Sequence, residues 1–186
     1  MAERVSKRLF TVDDYHRMVD AGILKEKDRV ELIRGEVVEM SPIGPPHNGS
    51  VIRANNTLLP LVGNRALISV QGAVRLDQYD EPQPDIVLLR PSADFYTSRH
   101  PAPQDIFLII EIADSSLEYD QTVKADVYAI TGVAEYWVAD IPNDCVWTYS
   151  GIQSDAYSVK QQFRRGEQIE PKLLPGCRIP VDTLLP

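Results

Sequence analysis

Two acids and one lysine stand where apolar runs of this chain begin or end. Asp85 opens the run Ile86-Val-Leu-Leu89 after Pro84, Glu111 lies near the end of Ile106-Phe-Leu-Ile-Ile-Glu-Ile112, and Lys124 follows thirteen residues after Glu111. Six of the seven residues from Ile106 to Ile112 are apolar, which reads as a strand covered on both faces. A carboxylate one step before the end of such a strand needs a partner outside the core. Two carboxylates on neighbouring strand ends are hard oxygen donors for a divalent cation, and an ammonium nearby can stabilise charge on a phosphorus centre. The chemistry implied is metal-assisted hydrolysis of a phosphodiester.

Several elements must bring these groups together. Thr11, followed by acid at the third position and then by Gly22, marks a short helix at about residues 12–21. From Arg29 to Met40 apolar and polar residues alternate about Arg34-Gly35, a hairpin signal with Glu31 and Glu36 flanking the turn. Both glutamates also fit plain solvent-facing strand positions. The proline-rich stretch from Ser41 to His47 reads as a loop that delivers His47 to a helix running from Asn48 to about Val62, its last turn distorted or ended by Pro60. His47 either touches a phosphate or metal-bound water, or makes a local hydrogen bond.

Ala66–Val70, Ala73–Leu76 and Asp85–Leu89 are short β-rich pieces that suggest a meander feeding a central sheet. Residues 90–104 form an exposed loop able to order on substrate. After the Glu111 strand, residues 114–120 are a loop rich in capping residues, and Thr122–Thr131 is a helix closed by Gly132. Lys124 then falls in the first helical turn, against the macrodipole preference for acids there, so an anion must hold it: either the strand-end acids or Asp120 at i,i+4. Glu135–Ala139 and Cys145–Tyr149 read as an antiparallel hairpin, with Trp137 and Trp147 in the core or at an interface. Tyr157–Phe163, turning at Arg165-Gly166, reads as a further strand pair, and little regular signal follows Leu173.

At 186 residues the chain suits one domain, residues 1–186, with its own core. No apolar run approaches membrane-spanning length and the leading residues lack an apolar signal segment, which points to a cytoplasmic protein without a membrane partner. Cys145 and Cys177 lack metal-ligand spacing and read as packing residues. The net charge of −8 argues against a general nucleic-acid coat, but carboxylates gathered for a cation are compatible with a nuclease. The arginines at 53, 65, 75, 90, 99, 164 and 165 are scattered, and no base-reading motif is visible.

The ordered set Pro84-Asp85, Glu111, Asp120-x-x-x-Lys124-x-x-x-Tyr128 and Gly132-Val-Ala-Glu-Tyr-Trp-Val-Ala-Asp140 resembles the Uma-type restriction endonucleases of the PD-(D/E)XK nuclease superfamily. Val30-Glu-Leu-Ile-Arg-Gly-Glu-Val-Val-Glu-Met-Ser-Pro42 and Pro46-His47 are similar to the N-terminal half of that group. The resemblance implies an α/β (α+β) restriction-endonuclease-like fold, a mixed β-sheet flanked by helices. It implies Mg²⁺ or Mn²⁺ held by Asp85, Glu111 and the Ile112 carbonyl, with Glu36 and then Glu31 reached through water. Lys124 completes the catalytic set, and His47, Gln71 and Tyr128 position a DNA substrate. The superfamily places its lysine two residues after the second acid, where this chain has Ala113, so Lys124 must reach the same point from the following helix. Two further possibilities stand beside the nuclease: a nuclease-like module that binds DNA or protein without cutting, and a homodimer formed through Tyr136, Trp137, Trp147 and Tyr149.

Overall fold

In the computed structural model, which describes residues 6–25 and 27–186, a helix and a hairpin precede one six-stranded sheet. The leading residues 1–5, on which the expectation of no signal segment rests, lie outside the described residues. Helix α1 (Val12–Asp20) starts at the expected cap, where the Thr11 hydroxyl accepts from the Asp14 amide and the Asp14 carboxylate accepts from the Thr11 amide. Strands β1 (Val30–Ile33) and β2 (Glu36–Glu39) close about Arg34 and Gly35, both with positive φ, as a two-residue hairpin turn requires.

Helix α2 (Pro45–Val62) corrects the expected loop: Pro45 and Pro46 are its first residues. Prolines fit there because the first helical amides have no intrahelical acceptor in any case. His47 therefore sits on a helix, within its first turn.

The sheet runs β3 (Leu67–Val70), β4 (Ile86–Leu89), β5 (Ile106–Ala113), β6 (Glu135–Asp140), β7 (Cys145–Gln153), β8 (Ala156–Arg164) in spatial order. Neighbours are antiparallel except β5 and β6, which are parallel and need a crossover, supplied by the helix of residues 117–130. Ala73–Leu76 is not a strand. Val74 and Leu76 are buried, but their amides donate to the Pro82 and Asp80 carbonyls, so the segment folds on itself. The pair expected beyond Phe163 also differs: β9 (Gln168–Ile169) pairs with β10 (Ile179–Pro180), not with β8.

Both faces of the sheet are covered, which explains the unbroken apolar run of β5. On one face Val51, Ala54 and Leu58 of α2 and the C-terminal Val181, Leu184 and Leu185 pack on Ile86, Leu108, Ile110 and Ile112. On the other, Ala125, Val127 and Tyr128 pack on Val87, Ile109, Tyr136 and Val138. Trp137, Tyr136 and Tyr149 belong to these cores and half-buried Trp147 packs against the second, so three of the four aromatic residues considered for a homodimer face are turned inward. Cys145 and Cys177 are buried free thiols, in keeping with packing roles.

Candidate active site

The pairing of β4 with β5 sets the centre of the site. Ile86 faces Ile110, so the next residues out, Asp85 and Glu111, stand side by side on the face that carries the helix of residues 117–130. The Asp85 amide donates to Glu111 Oε2 at 3.2 Å, which fixes the spacing of the two acids. Asp85 is oriented from three directions. Its Oδ2 accepts from the Ile112 amide at 2.9 Å and lies 2.9 Å from His47 Nε2, while Gln71 Nε2 approaches Oδ1 at 3.4 Å. Gln71 takes a positive φ of 52°, unusual for a residue with a side chain, and its amide donates to the Asp85 carbonyl.

Lys124 enters from above. Its Nζ donates to Glu111 Oε1 at 2.9 Å, lies 3.3 Å from Glu31 Oε1 and 3.8 Å from Asp120 Oδ1, and is buried. The Tyr128 hydroxyl donates to the same Glu111 Oε1 at 3.0 Å. The helix carrying them is not regular: an α-helical turn at Leu117–Tyr119 gives way to a π-helical segment at Asp120–Lys124 before the α-helix Ala125–Ile130. Wide turns of this kind occur mostly as single insertions at functional sites. Here the Asp120 carbonyl accepts from the Tyr136 hydroxyl at 3.1 Å, and the Ser116 hydroxyl donates to the Asp120 carboxylate. Lys124 thus lies in the second turn of its helix, not the first, and the expected conflict with the macrodipole disappears.

Three buried acids, Glu31, Glu111 and Asp120, share this one ammonium, and a fourth, Asp85, stands beside Glu111. Burial pushes the Glu111 carboxyl up to about 8, opposed by Lys124 and reinforced by Asp85, Asp120 and Glu31. Burial likewise lifts Asp120 to about 6, against Lys124 and the Ser116 hydroxyl. Lys124 is itself disfavoured by burial, yet Glu111, Glu31 and Asp120 together outweigh that and hold it above its ordinary value. Carboxylates this crowded bind protons readily, and a cation can take the place of those protons. The donor chemistry fits a hard divalent ion with Asp85 and Glu111 as direct ligands. Among the described residues no three carboxylates of this group bring their oxygens within 4.8 Å of one another. Two protein carboxylates with waters are nevertheless a usual set for Mg²⁺. A cleft of about 900 Å³ opens onto the acids, lined also by Tyr15, Lys25, Arg29, Gln83 and Tyr119.

Of the residues expected from sequence, Asp85, Glu111, Lys124, Tyr128, His47, Gln71 and Glu31 converge. Glu36 does not: it is exposed at the turn end of β2 and bonds Lys7 at 2.8 Å. Glu31, the lesser choice, is the inward acid, its Oε2 accepting from the Gln83 amide. Ile112 meets the site through its amide. Asp120 and Ser116 were missed as site residues, although Ser116, Asp120, Lys124 and Tyr128 recur every four residues and so mark one helical stripe.

A mixed sheet flanked by helices, with paired acids at adjoining strand ends and a lysine over them, is a nuclease-like architecture. The family model described as "Uma2: Putative restriction endonuclease" matches residues 12–182, nearly the whole chain. The chain belongs to this family, a branch of the PD-(D/E)XK nuclease superfamily, whose members generally use divalent metals. Among solved structures it is similar to "a putative nuclease belonging to DUF820" from Anabaena variabilis, with a TM-score of 0.73 and 14% identity over 94% of this chain and 97% of that one. At that identity the likeness speaks for the fold. No curated protein matches.

Proposed function

We propose that this chain is a metal-dependent endonuclease that hydrolyses phosphodiester bonds of DNA. The observation that carries the reading is the pair of buried strand-end acids Asp85 and Glu111, with Lys124 bonded to Glu111, lining an open cleft. A cation of the Mg²⁺ or Mn²⁺ type, held by Asp85 and Glu111 with water, would polarise the phosphate and acidify the attacking water.

The chain's own groups do the rest. Lys124, kept protonated by its acidic neighbours, aligns the attacking water or offers fixed positive charge to the phosphate oxygens as negative charge builds on them. Tyr128 and Lys124 hold Glu111 Oε1, which leaves Oε2 turned toward Asp85. His47 and the Ile112 amide lock the Asp85 carboxylate from behind, so little reorganisation is needed when substrate arrives. Water attacks phosphorus, the bond to the 3′ oxygen breaks, and the products carry a 5′ phosphate and a 3′ hydroxyl.

Supercoiled plasmid, a linear duplex and a single-stranded oligonucleotide, incubated with Mg²⁺ or Mn²⁺, test the proposal. Metal-dependent cutting inside at least one substrate is expected, with Asp85→Asn reduced at least about a hundredfold, in the range that removing a transition-state contact costs. Cutting that is equal in Asp85→Asn, or absent with every substrate and both metals, would overturn it.

A further inference from the structure

Apart from the residues that line the active cleft, three segments outside the main sheet bring together two of the three histidines of the chain. His16 lies on α1, Glu81 forms a bridge with Leu32 of β1, and His100 lies in the loop between β4 and β5. Their ligand atoms all fall within 4.8 Å of one another, and His16 Nε2 is 2.6 Å from Glu81 Oε1. Glu81 is only 5% exposed, and its second oxygen, Oε2, has no hydrogen-bond partner among the described residues. A buried carboxylate oxygen without a donor is costly, and the two histidines within reach of this carboxylate, His16 and His100, line a cleft.

We propose that His16, Glu81 and His100 form a second metal site, selective for a borderline divalent transition metal such as Zn²⁺. Two imidazoles and one carboxylate suit zinc, whereas magnesium prefers oxygen alone. Ligand atoms around one tetrahedral zinc stand about 3.4 Å apart. That lies between the 2.6 Å of the His16–Glu81 contact and the 4.8 Å limit of the set. The metal takes the place of the His16–Glu81 hydrogen bond, and exposed His100 closes on it by turning its side chain. Water fills the remaining position.

The backbone already holds the three segments in place. The Val12 amide donates to the Gln78 carbonyl, Glu81 exchanges backbone hydrogen bonds with Leu32, and the Arg75 amide donates to the Pro101 carbonyl. The two arginines beside the cleft do not oppose a cation with free charge, because Arg75 is paired with Asp13 and Arg99 with Asp105. A metal here pins α1 and the 91–102 loop to the segment that leads into Asp85. Its effect is to stabilise the folded chain, since a metal that binds the native state alone raises the melting temperature.

Zinc titrated calorimetrically into chelator-treated protein carrying Asp85→Asn, which removes the other candidate centre, tests this. One ion per chain, a raised melting temperature and no displacement by millimolar Mg²⁺ are expected. His100→Ala, at an exposed position, should weaken binding at least about tenfold, no less than losing an outer-shell partner does, and Glu81→Gln should do likewise at unchanged shape. No zinc binding, displacement by Mg²⁺, or unchanged affinity in both variants would overturn the site.

Discussion

Lys124 decides how the central acids behave. Its ammonium lies between Glu111, Glu31 and Asp120, all buried, so removing it leaves negative charge with no internal counterion. Lys124→Ala should keep divalent-metal binding while losing cleavage by about 10² to 10⁴, the range a positioned charge or proton donor contributes. Equal cleavage rates in variant and wild type would reduce Lys124 to a structural ion pair. Glu111 makes a second case. With its carboxyl pushed up to about 8 and that of Asp120 to about 6, the folded metal-free protein holds protons that the unfolded chain has released. Stability from these groups is therefore fully present below the ordinary carboxylate range and is lost as pH rises toward 8. The melting temperature in chelator should fall between about pH 5 and about pH 9, and Glu111→Gln should flatten that slope; a wild-type curve that rises across the window would contradict the assignment. At this scale the sequence was informative about Asp85, Glu111 and Lys124 because a carboxylate bordering an apolar strand is costly to bury without a cation or hydrogen-bond donors beside it. It misled on Glu36 because alternation in a hairpin does not say which end of the face meets the core. Glu31 and Glu36 share a face through their pairings with Val38 and Ile33, yet only Glu31 lies under Lys124.

The elements were legible where one period governed them. The capped α1, the Arg34-Gly35 turn and the strands β3 to β8 follow from caps, positive-φ turns and apolar runs, each local in the chain. What could not be read is the π-helical segment at Asp120–Lys124, since its extra residue is stabilised by tertiary partners. The Tyr136 hydroxyl, sixteen residues away, donates to the Asp120 carbonyl at the start of that segment. Tyr136→Phe should therefore destabilise the protein by about 1 to 3 kcal/mol, the cost of leaving a buried acceptor unpaired, as read by urea unfolding. No change in the unfolding midpoint would mean that the wide turn holds without this contact. The β9–β10 pair escaped detection for a like reason: two-residue strands far apart in sequence carry no period at all.

Across the whole molecule, charge sets the terms of substrate binding. The net charge is −8, and the exposed Arg75, Arg99 and Arg165 are each engaged with an aspartate, so these three do not offset the acidic cleft. A polyanion should approach well only once the cleft holds a cation. Ca²⁺, which binds oxygen ligands, should raise affinity for duplex DNA at least about tenfold in fluorescence anisotropy, and Asp85→Asn should abolish the gain. DNA binding indifferent to the cation would point instead to a module that binds without cutting. The most direct test of the central site is calorimetric titration of Mn²⁺ into His100→Ala protein, where the imidazole site is weakened, with and without Asp85→Asn. The expected result is binding that weakens at least about tenfold when Asp85 is changed, as losing a direct ligand must cost at least what losing an outer-shell partner does. Equal affinity in the two proteins, or no binding at millimolar metal with or without DNA, would contradict a cation held by Asp85 and Glu111.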